Sequence, residues 1–159
     1  MPVLTAPEAS RHIGQLRAAG KRIVFTNGVF DLLHPGHVRY LQHARSLGDV
    51  LFVGVNSDRS VRANKGPDRP ITPEDERAEV VAALRSVDAV VLFDEETPQA
   101  IIDALRPDIL VKGADWAENA IVGRDVVEEG GGRVVRVPIE AGHSTTDIIQ
   151  RIRARHRRR

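Results

Sequence analysis

The sequence contains no cysteine, and this absence removes several kinds of site at once. Without thiols the chain has no disulfide framework, no zinc site built on thiolates and no cysteine nucleophile. Such a composition fits a reducing compartment, so we expect a cytoplasmic protein. Long apolar runs are missing too: none approaches the roughly 20 residues that cross a bilayer. The first ten residues also lack the basic-then-apolar pattern of a secretory signal. We therefore expect a soluble protein with no membrane partner.

Lysine is scarce, since only Lys21, Lys65 and Lys112 are found among the 23 basic residues. The formal charge of +1 hides an uneven distribution. Residues 151–159 hold six arginines and no acid, whereas the first 150 residues carry 17 basic and 22 acidic side chains. An acidic body with 4% aromatic residues offers neither a basic face nor a stacking platform, so we expect no nucleic-acid partner. A nucleic-acid-binding module that acts through the arginine-rich end is the remote alternative.

Apolar segments that read as strands alternate with segments of helical periodicity, and no hairpin signal separates them. This pattern predicts a single-domain α/β protein with a Rossmann-like, doubly wound parallel sheet of about five strands and flanking helices. A chain of 159 residues with 42% hydrophobic residues is large enough to bury such a core. The predicted strands are 22–26, 50–55, 89–93, 109–111 and 133–137, and the predicted helices are 7–19, 37–47, 73–84, 97–106, 123–129 and 144–154.

Three further predictions concern the organisation of the chain. Residues 1–20 form an N-terminal helical extension, 21–152 the domain itself, and 153–159 an arginine-rich tail that we expect to be disordered. The polar segment 58–71 contains glycine and proline and is predicted to be a mobile loop. Thr72 is predicted to cap the helix that follows this loop.

Ligands of doubly wound sheets bind at the carboxyl ends of the strands, which directs attention to the segments that follow them. After the first predicted strand, TNGVFDLLHPGH places His34 and His37 around Pro35-Gly36 where a helix begins. A helix start with a glycine favours an anion, and two imidazoles there can donate to phosphate oxygens. The residues alone equally allow two solvated histidines at a helix start. The HxGH spacing is not that of zinc hydrolases, so we expect no metal site built by the protein.

The other strand ends carry weaker signals, each with an ordinary structural reading beside it. Lys65, which precedes a glycine, could close over a polyphosphate or be a solvated lysine. Trp116 fits core packing as well as a surface near a base or sugar. The hydroxyl run that begins at Ser144 suits phosphate binding or plain helix capping. The motifs GxxxxGK[ST] and GxGxxG are both absent, which excludes a P-loop enzyme and disfavours dinucleotide binding.

Together FTNGVFDLLHPGHVRYL, VGVNSDRSV, KGPDRPITPEDER, PDILVKGADW and GHSTTDIIQRI resemble the HxGH-type, cytidylyltransferase-like nucleotidyltransferase superfamily. The resemblance runs from about Arg22 to Ile152 and is closest to the adenylyltransferase domain of ADP-heptose biosynthesis. It implies an enzyme that joins D-glycero-β-D-manno-heptose 1-phosphate and ATP to give ADP-heptose and pyrophosphate. It also implies Mg²⁺ bound with ATP, a homodimer, and a separate kinase that supplies the sugar phosphate.

The resemblance implies the roles of individual residues. Catalytic roles fall to His34, His37 and Lys65; nucleotide binding to these two histidines with Asn27, Gly28, Phe30, Lys112, Gly113, Asp115, Ser144, Thr145 and Thr146; and substrate binding to Lys65 with Asp31, Asp58, Arg69 and Arg77. In this assignment Asn27, Gly28 and Phe30 present backbone groups to the nucleotide.

Two positions depart from related patterns, and other specificities stay open. Ile139 stands where glycerol-3-phosphate cytidylyltransferases carry arginine, five positions before the serine, which argues against CTP and glycerol phosphate. Ala114 replaces the second glycine of the usual KGGD, on the nucleotide side of the site. The alternatives within the superfamily are CTP with glycerol 3-phosphate or another polyol phosphate, and GTP with a heptose phosphate.

Overall fold

The computed structural model describes residues 2–156. The chain forms six strands, seven α-helices and a short 3-10 helix at Glu118–Ala120 within that range. The strands are β1 Val3–Leu4, β2 Ile23–Gly28, β3 Val50–Asn56, β4 Ala89–Phe93, β5 Ile109–Gly113 and β6 Arg133–Val137. The helices are α1 Ala6–Ala18, α2 Pro35–Ser46, α3 Asp58–Lys65, α4 Glu74–Ala82, α5 Gln99–Leu105, α6 Arg124–Glu129 and α7 Thr145–His156.

All six strands join one parallel sheet in the order β1-β4-β3-β2-β5-β6, which confirms the predicted doubly wound architecture. From β2 the chain winds outward through β3 and β4. It then returns to place β5 on the other side of β2. The order of the strands therefore reverses between β2 and β5, and loops from the two halves diverge at the carboxyl ends of these strands.

The core lies on both faces of the sheet, as expected for parallel strands covered by helices. Every residue of β3 is buried. Phe25 and Phe52 pack on one face with α1, α5 and α6, whereas Val24, Leu51 and Val53 pack on the other with α2 and α4. The uninterrupted apolar runs that predicted these strands arise because successive side chains enter two different cores.

The N-terminal segment is more than a helical extension, because β1 adds a sixth strand that the sequence did not predict. Val3 pairs with Val90 and Leu4 with Val91 at the edge of the sheet. Thr5 then starts α1 through a capping box: its backbone N–H donates to the Glu8 carboxylate over 2.8 Å. A strand of two residues has no periodicity to detect, and it forms only because β4 offers an open edge.

The prediction of a mobile loop over 58–71 is wrong for its first half, which forms α3. Ser57 caps this helix by accepting a hydrogen bond from Ser60 N over 3.1 Å, and both Ser60 and Val61 are buried. Tertiary burial thus overrides the polar composition. The predicted cap of the next helix is also wrong: Thr72 donates its backbone N–H to Asp31 over 2.9 Å, and α4 begins after Pro73.

The C-terminal helix α7 continues to His156, two residues past the predicted end near Ala154. The first part of the predicted arginine-rich tail, 153–156, is therefore helical rather than disordered. The remaining residues of that tail, 157–159, lie outside the described residues. Among residues 2–156, no helix is both long and apolar enough to cross a membrane.

Candidate functional site

A cleft of about 670 Å³ opens where β2 and β5 separate. In the paired part of these strands, Val24 lies opposite Ile109 and Phe25 opposite Leu110. One residue further along each strand, a side chain makes the contact between them: Thr26 Oγ1 donates to the Val111 carbonyl over 2.9 Å. The Lys112 ammonium then donates to Asn27 Oδ1. The cleft thus lies at the reversal of strand order, where ligands of this architecture bind.

The start of α2 places two imidazoles in this cleft. His34 caps the helix with an extended backbone, and its Nδ1 accepts a hydrogen bond from His37 N over 3.4 Å. The two rings stack with centroids 3.8 Å apart and planes 20° from parallel. A β-carbon on Gly36 would lie 3.0 Å from the His34 ring. Glycine therefore lets the helix start approach the ring closely, and a larger residue would require the ring to shift.

Phe30 supports the second histidine from below. Its ring is buried and meets the His37 ring edge-on, with centroids 5.3 Å apart. The backbone of Phe30 takes a φ of 50°, an uncommon conformation for a residue with a β-carbon. A β-carbon on Gly28 would lie 2.9 Å from the Phe30 ring, so the turn after β2 is closely packed. The packing holds a strained residue beneath the histidines, as is typical of functional sites.

Burial lowers the pKa of His37 to about 4, with a smaller contribution from the neighbouring His34. Burial also lowers the pKa of His34, helped by His143 and opposed by Asp147. Both rings are therefore neutral near pH 7, and each can donate one N–H. His37 Nδ1 is buried and has no hydrogen-bond partner among residues 2–156. A neutral pair can donate two N–H groups to anionic oxygens without placing two fixed positive charges in the cleft.

The pKa of His37 predicts its titration. Its imidazole should take up a proton with a midpoint near pH 4, against about 6.5 for an unperturbed histidine. Between those values the unfolded state binds more protons than the folded state, so the free energy of unfolding should fall as the pH drops through this window. NMR titration of the imidazole resonances, with urea unfolding of wild type and His37→Gln at pH 7 and pH 5, measures both effects. A midpoint above pH 6 would contradict the burial of the His37 imidazole.

The loop from β6 to α7 forms the opposite wall of the cleft. Ser144 Oγ accepts a hydrogen bond from Asp147 N over 3.0 Å, and Thr145 Oγ1 donates to the Leu32 carbonyl over 3.3 Å. An ion pair between Glu140 and Arg39 ties this loop to α2. Hydroxyl groups and the N-termini of α2 and α7 therefore face one cavity, an arrangement that favours an anionic ligand.

The cleft gathers most of the residues that sequence reasoning selected. Lys65 reaches it from the end of α3, an ordered helix, rather than from a mobile loop. Lys112 lies beneath the cleft and is 8% exposed, and Thr146 faces solvent outside it. The predicted residues that line the cleft are Asn27, Gly28, Phe30, His34, His37, Lys65, Gly113, Asp115, Ser144 and Thr145.

Two of the predicted substrate-binding residues instead pair with each other outside the cleft. Arg69 Nε donates to Asp31 over 2.6 Å, and the backbone N–H groups of Ile71 and Thr72 donate to the same carboxylate. Burial alone would raise the pKa of Asp31, but these three hydrogen-bond donors together lower it. Neither Asp31 nor Arg69 lines the cleft. The pair holds the segment between α3 and α4 against the turn after β2.

Arg77 and Asp58 likewise have protein partners, and their predicted substrate contact stays a prediction. The Arg77 side chain is fully buried and donates to Asp58 Oδ1 over 2.8 Å. Its remaining hydrogen bonds go to three backbone carbonyls, those of Val29, Asn56 and Thr72. Neither residue of this pair lines the cleft. The guanidinium joins the turn after β2, the end of β3 and the start of α4.

Sequence reasoning missed one wall of the cleft. Arg39, Tyr40 and His43 continue the α2 face that begins at Gly36, at spacings of three, four and seven residues that a helical pattern could have revealed. Trp116, for which two readings were open, is 52% exposed and lines the cleft. The remaining lining residues that were not selected are Val29, Gly36, Val137, Pro138, Ile139, Glu140 and His143. Most of these meet α2 only through the tertiary fold.

The chain matches a known protein family and is similar to several known proteins. The sequence model described as cytidylyltransferase-like matches residues 25–151. The chain is 58% identical over 88% of its length to the bifunctional protein HldE of Syntrophotalea carbinolica, and 55% identical over 92% to that of Magnetococcus marinus. It spans only 29% and 30% of these two relatives. Among solved structures it is similar to a lipopolysaccharide core biosynthesis protein from Thermoplasma volcanium. The TM-score is 0.63 and the identity 33%, over 76% of this chain and 98% of that one.

Proposed function

The chain belongs to the cytidylyltransferase-like family of nucleotidyltransferases, and on that premise we propose that it is a sugar-1-phosphate adenylyltransferase. The reaction joins D-glycero-β-D-manno-heptose 1-phosphate to ATP and releases pyrophosphate. Kinship with the bifunctional HldE proteins and with a lipopolysaccharide core biosynthesis protein supports this substrate pair. The observation that carries the proposal is the stacked pair His34 and His37, which faces the hydroxyls at the start of α7 across one cleft.

The chemistry requires alignment and charge stabilisation more than proton transfer. An oxygen of the sugar phosphate attacks the α-phosphorus of ATP, a new P–O bond forms, and the bond from that phosphorus to the bridging oxygen of pyrophosphate breaks. The attacking phosphate is already anionic at neutral pH, so no strong general base is needed. The protein has to hold the two reactants in line and stabilise the charge on the phosphate oxygens.

The cleft offers suitable groups for each part of the reactants. His34 and His37 donate N–H groups to the α- and β-phosphates, and their burial strengthens those hydrogen bonds. Ser144 and Thr145, at the start of α7, receive the end of the triphosphate. Lys65 adds a positive charge from the end of α3. These roles agree with the neutral state of the two imidazoles, which become better donors as negative charge accumulates.

Two exposed apolar side chains of the cleft, Ile139 and Trp116, support ATP over CTP as the nucleotide. Ile139 is 56% exposed and lines the cleft, and a β-carbon on Gly113 would lie 2.7 Å from its Cδ1 atom. An apolar side chain therefore occupies the place where glycerol-3-phosphate cytidylyltransferases carry arginine. Trp116 adds a second exposed apolar surface nearby. A large purine ring gains more from such surfaces than a pyrimidine does.

Nucleotidyltransferases use a divalent metal ion with the nucleotide, and we propose Mg²⁺ here. Among residues 2–156, no group of three or more His, Asp or Glu side chains is placed to hold an ion. Mg²⁺ typically binds through substrate phosphates and water with few protein ligands. When bound, it would neutralise part of the charge of the departing pyrophosphate.

The substrate pair also implies a reaction partner. The heptose 1-phosphate has to come from a kinase reaction that phosphorylates the sugar, and the product is an activated sugar donor. We propose a catalytic domain of about 21–152, onto which β1 and α1 pack. A homodimer remains our proposal for the assembly, and sedimentation of the purified chain measures it directly.

Pyrophosphate release across ATP, GTP, CTP and UTP tests the specificity, with heptose 1-phosphate, glycerol 3-phosphate and hexose 1-phosphates as acceptors. We expect ATP with the heptose 1-phosphate to exceed every other pair by more than about tenfold in kcat/KM, since a site that hydrogen-bonds its substrate rejects analogues strongly. His34→Ala serves as the blank for contaminating activity. Turnover with CTP alone, or none with any heptose phosphate, would overturn the substrate assignment and leave the family unaffected.

A further inference from the structure

Among residues 2–156, Lys112 is a buried cation without an anionic partner. The residue is 8% exposed, and burial lowers its pKa to about 8. In the part of the chain that the structure describes, its ammonium makes one hydrogen bond, to the neutral side-chain amide of Asn27. A buried ammonium paired with a neutral oxygen is costly to folding. The fold would be more stable with an apolar side chain at this position at the end of β5. We therefore expect the lysine to have a functional role.

The contact with Lys112 determines which way the Asn27 amide points. An ammonium group only donates hydrogen bonds, so it selects the amide orientation with Oδ1 towards β5. The amide is planar, and Nδ2 therefore points away from Lys112. Asn27 lines the cleft, and within residues 2–156 its Nδ2 has no hydrogen-bond partner. The lysine thus leaves an oriented amide donor at the floor of the site.

Neighbouring residues fix the position of the Asn27 backbone. Its neighbour Thr26 is fully buried and bridges to β5 through the Val111 carbonyl, so the backbone at the end of β2 is fixed. On the other side Asn27 pairs with Gly54 of β3 in the sheet, which also fixes its backbone. With the backbone fixed and Oδ1 bound, the ammonium restrains rotation of the side-chain amide.

We propose that Lys112 is a positioning residue that fixes the Asn27 amide so that Nδ2 donates to an oxygen of the bound nucleotide. This role differs from the one implied by resemblance, in which Lys112 binds the nucleotide itself and Asn27 offers only its backbone. The acceptor is an oxygen of the triphosphate or of the ribose. The inference rests on the proposed function only in taking ATP as the nucleotide.

A double-mutant cycle on ATP binding tests the proposal. ATP affinity is measured by calorimetry, without sugar phosphate, for wild type, Lys112→Met, Asn27→Ala and the double variant. Each single change should weaken binding about tenfold, the loss expected for a hydrogen bond to a charged or oriented group. The double variant should bind no more weakly than Asn27→Ala, because Lys112 acts through Asn27. Lys21→Met, the same change at an exposed lysine, should bind ATP like wild type.

Thermal unfolding separates positioning from a merely structural role. Lys112→Met should keep or raise the Tm while ATP affinity falls, since it removes a buried, unpaired charge. Lys112→Gln, which still donates to Asn27 Oδ1, should recover part of the affinity that Lys112→Met loses. It also serves as the folded variant if Lys112→Met does not fold. Inorganic tripolyphosphate and adenosine as probes then identify the oxygen, since only the ligand that carries it should bind more weakly to Asn27→Ala.

Two results would overturn the proposal. Additive losses in the double variant would mean that Lys112 contacts the nucleotide independently of Asn27. Wild-type affinity in Lys112→Met would mean that the lysine has no role in binding. Failure of the heptose assignment is a separate outcome, because the cycle requires no acceptor. If another nucleotide proves to be the substrate, the same four proteins are measured with it.

Discussion

Replacement of His34 or His37 by alanine should lower kcat about 10²–10³-fold, the loss typical for one donor of an oxyanion-stabilising site. The two rings stack at 3.8 Å and face the same cleft, so each removal takes an N–H from the phosphates at the moment their charge shifts. Because the gain is realised in the transition state, kcat should fall more than KM for ATP rises. Steady-state pyrophosphate release measures both constants.

A matched control and a conservative variant sharpen this experiment. His156 is exposed on the last turn of α7, and His156→Ala should retain wild-type turnover. His37→Gln keeps an amide N–H and should lose less activity than His37→Ala. Each variant should unfold cooperatively, since neither histidine belongs to the two hydrophobic clusters that form the core. Near-wild-type turnover in both alanine variants would remove the histidines from the mechanism.

The strands that frame the site were predictable because each is an apolar run between two helical segments. The segments 22–26 and 50–55 became β2 and β3 with shifts of one residue at most at their starts. At its end β2 extends two residues further, through Asn27 and Gly28, into the segment that carries chemistry. Polar residues at a strand end read as loop in sequence, although here they continue the ladder with β3. The edge strand β1 was out of reach because its two residues show no alternation.

Part of the site could be inferred because its residues follow strands along the chain. HxGH, KGAD and the hydroxyl run of α7 are local patterns at predicted strand ends, and the topology brings them together. Burial of charge could not be inferred in the same way. Arg69 and Asp31 are 38 residues apart, and no local pattern shows that they pair. In the structure this pair joins two loops, and the substrate-binding role that the resemblance implies for both residues stays a prediction.

Replacement of Arg77 by alanine should lower the free energy of unfolding by about 3–5 kcal/mol. The side chain is fully buried, and its loss leaves the Asp58 carboxylate and the carbonyls of Val29 and Asn56 without their donor. Buried acceptors without donors are costly, and the cavity left by the side chain adds to that cost. Urea unfolding monitored by circular dichroism measures the change.

Arg62 provides the matched control because it approaches the same carboxylate from solvent. Its guanidinium lies 3.9 Å from Asp58 Oδ2 and its side chain is 56% exposed. Exposed pairs of this kind contribute under about 1 kcal/mol, so Arg62→Ala should unfold close to wild type. Arg77→Lys restores the charge but not the planar set of donors and should recover only part of the loss. A stable Arg77→Ala protein with a raised KM for the sugar phosphate would instead favour the substrate-binding role implied by resemblance, because a structural guanidinium affects stability before it affects substrate affinity.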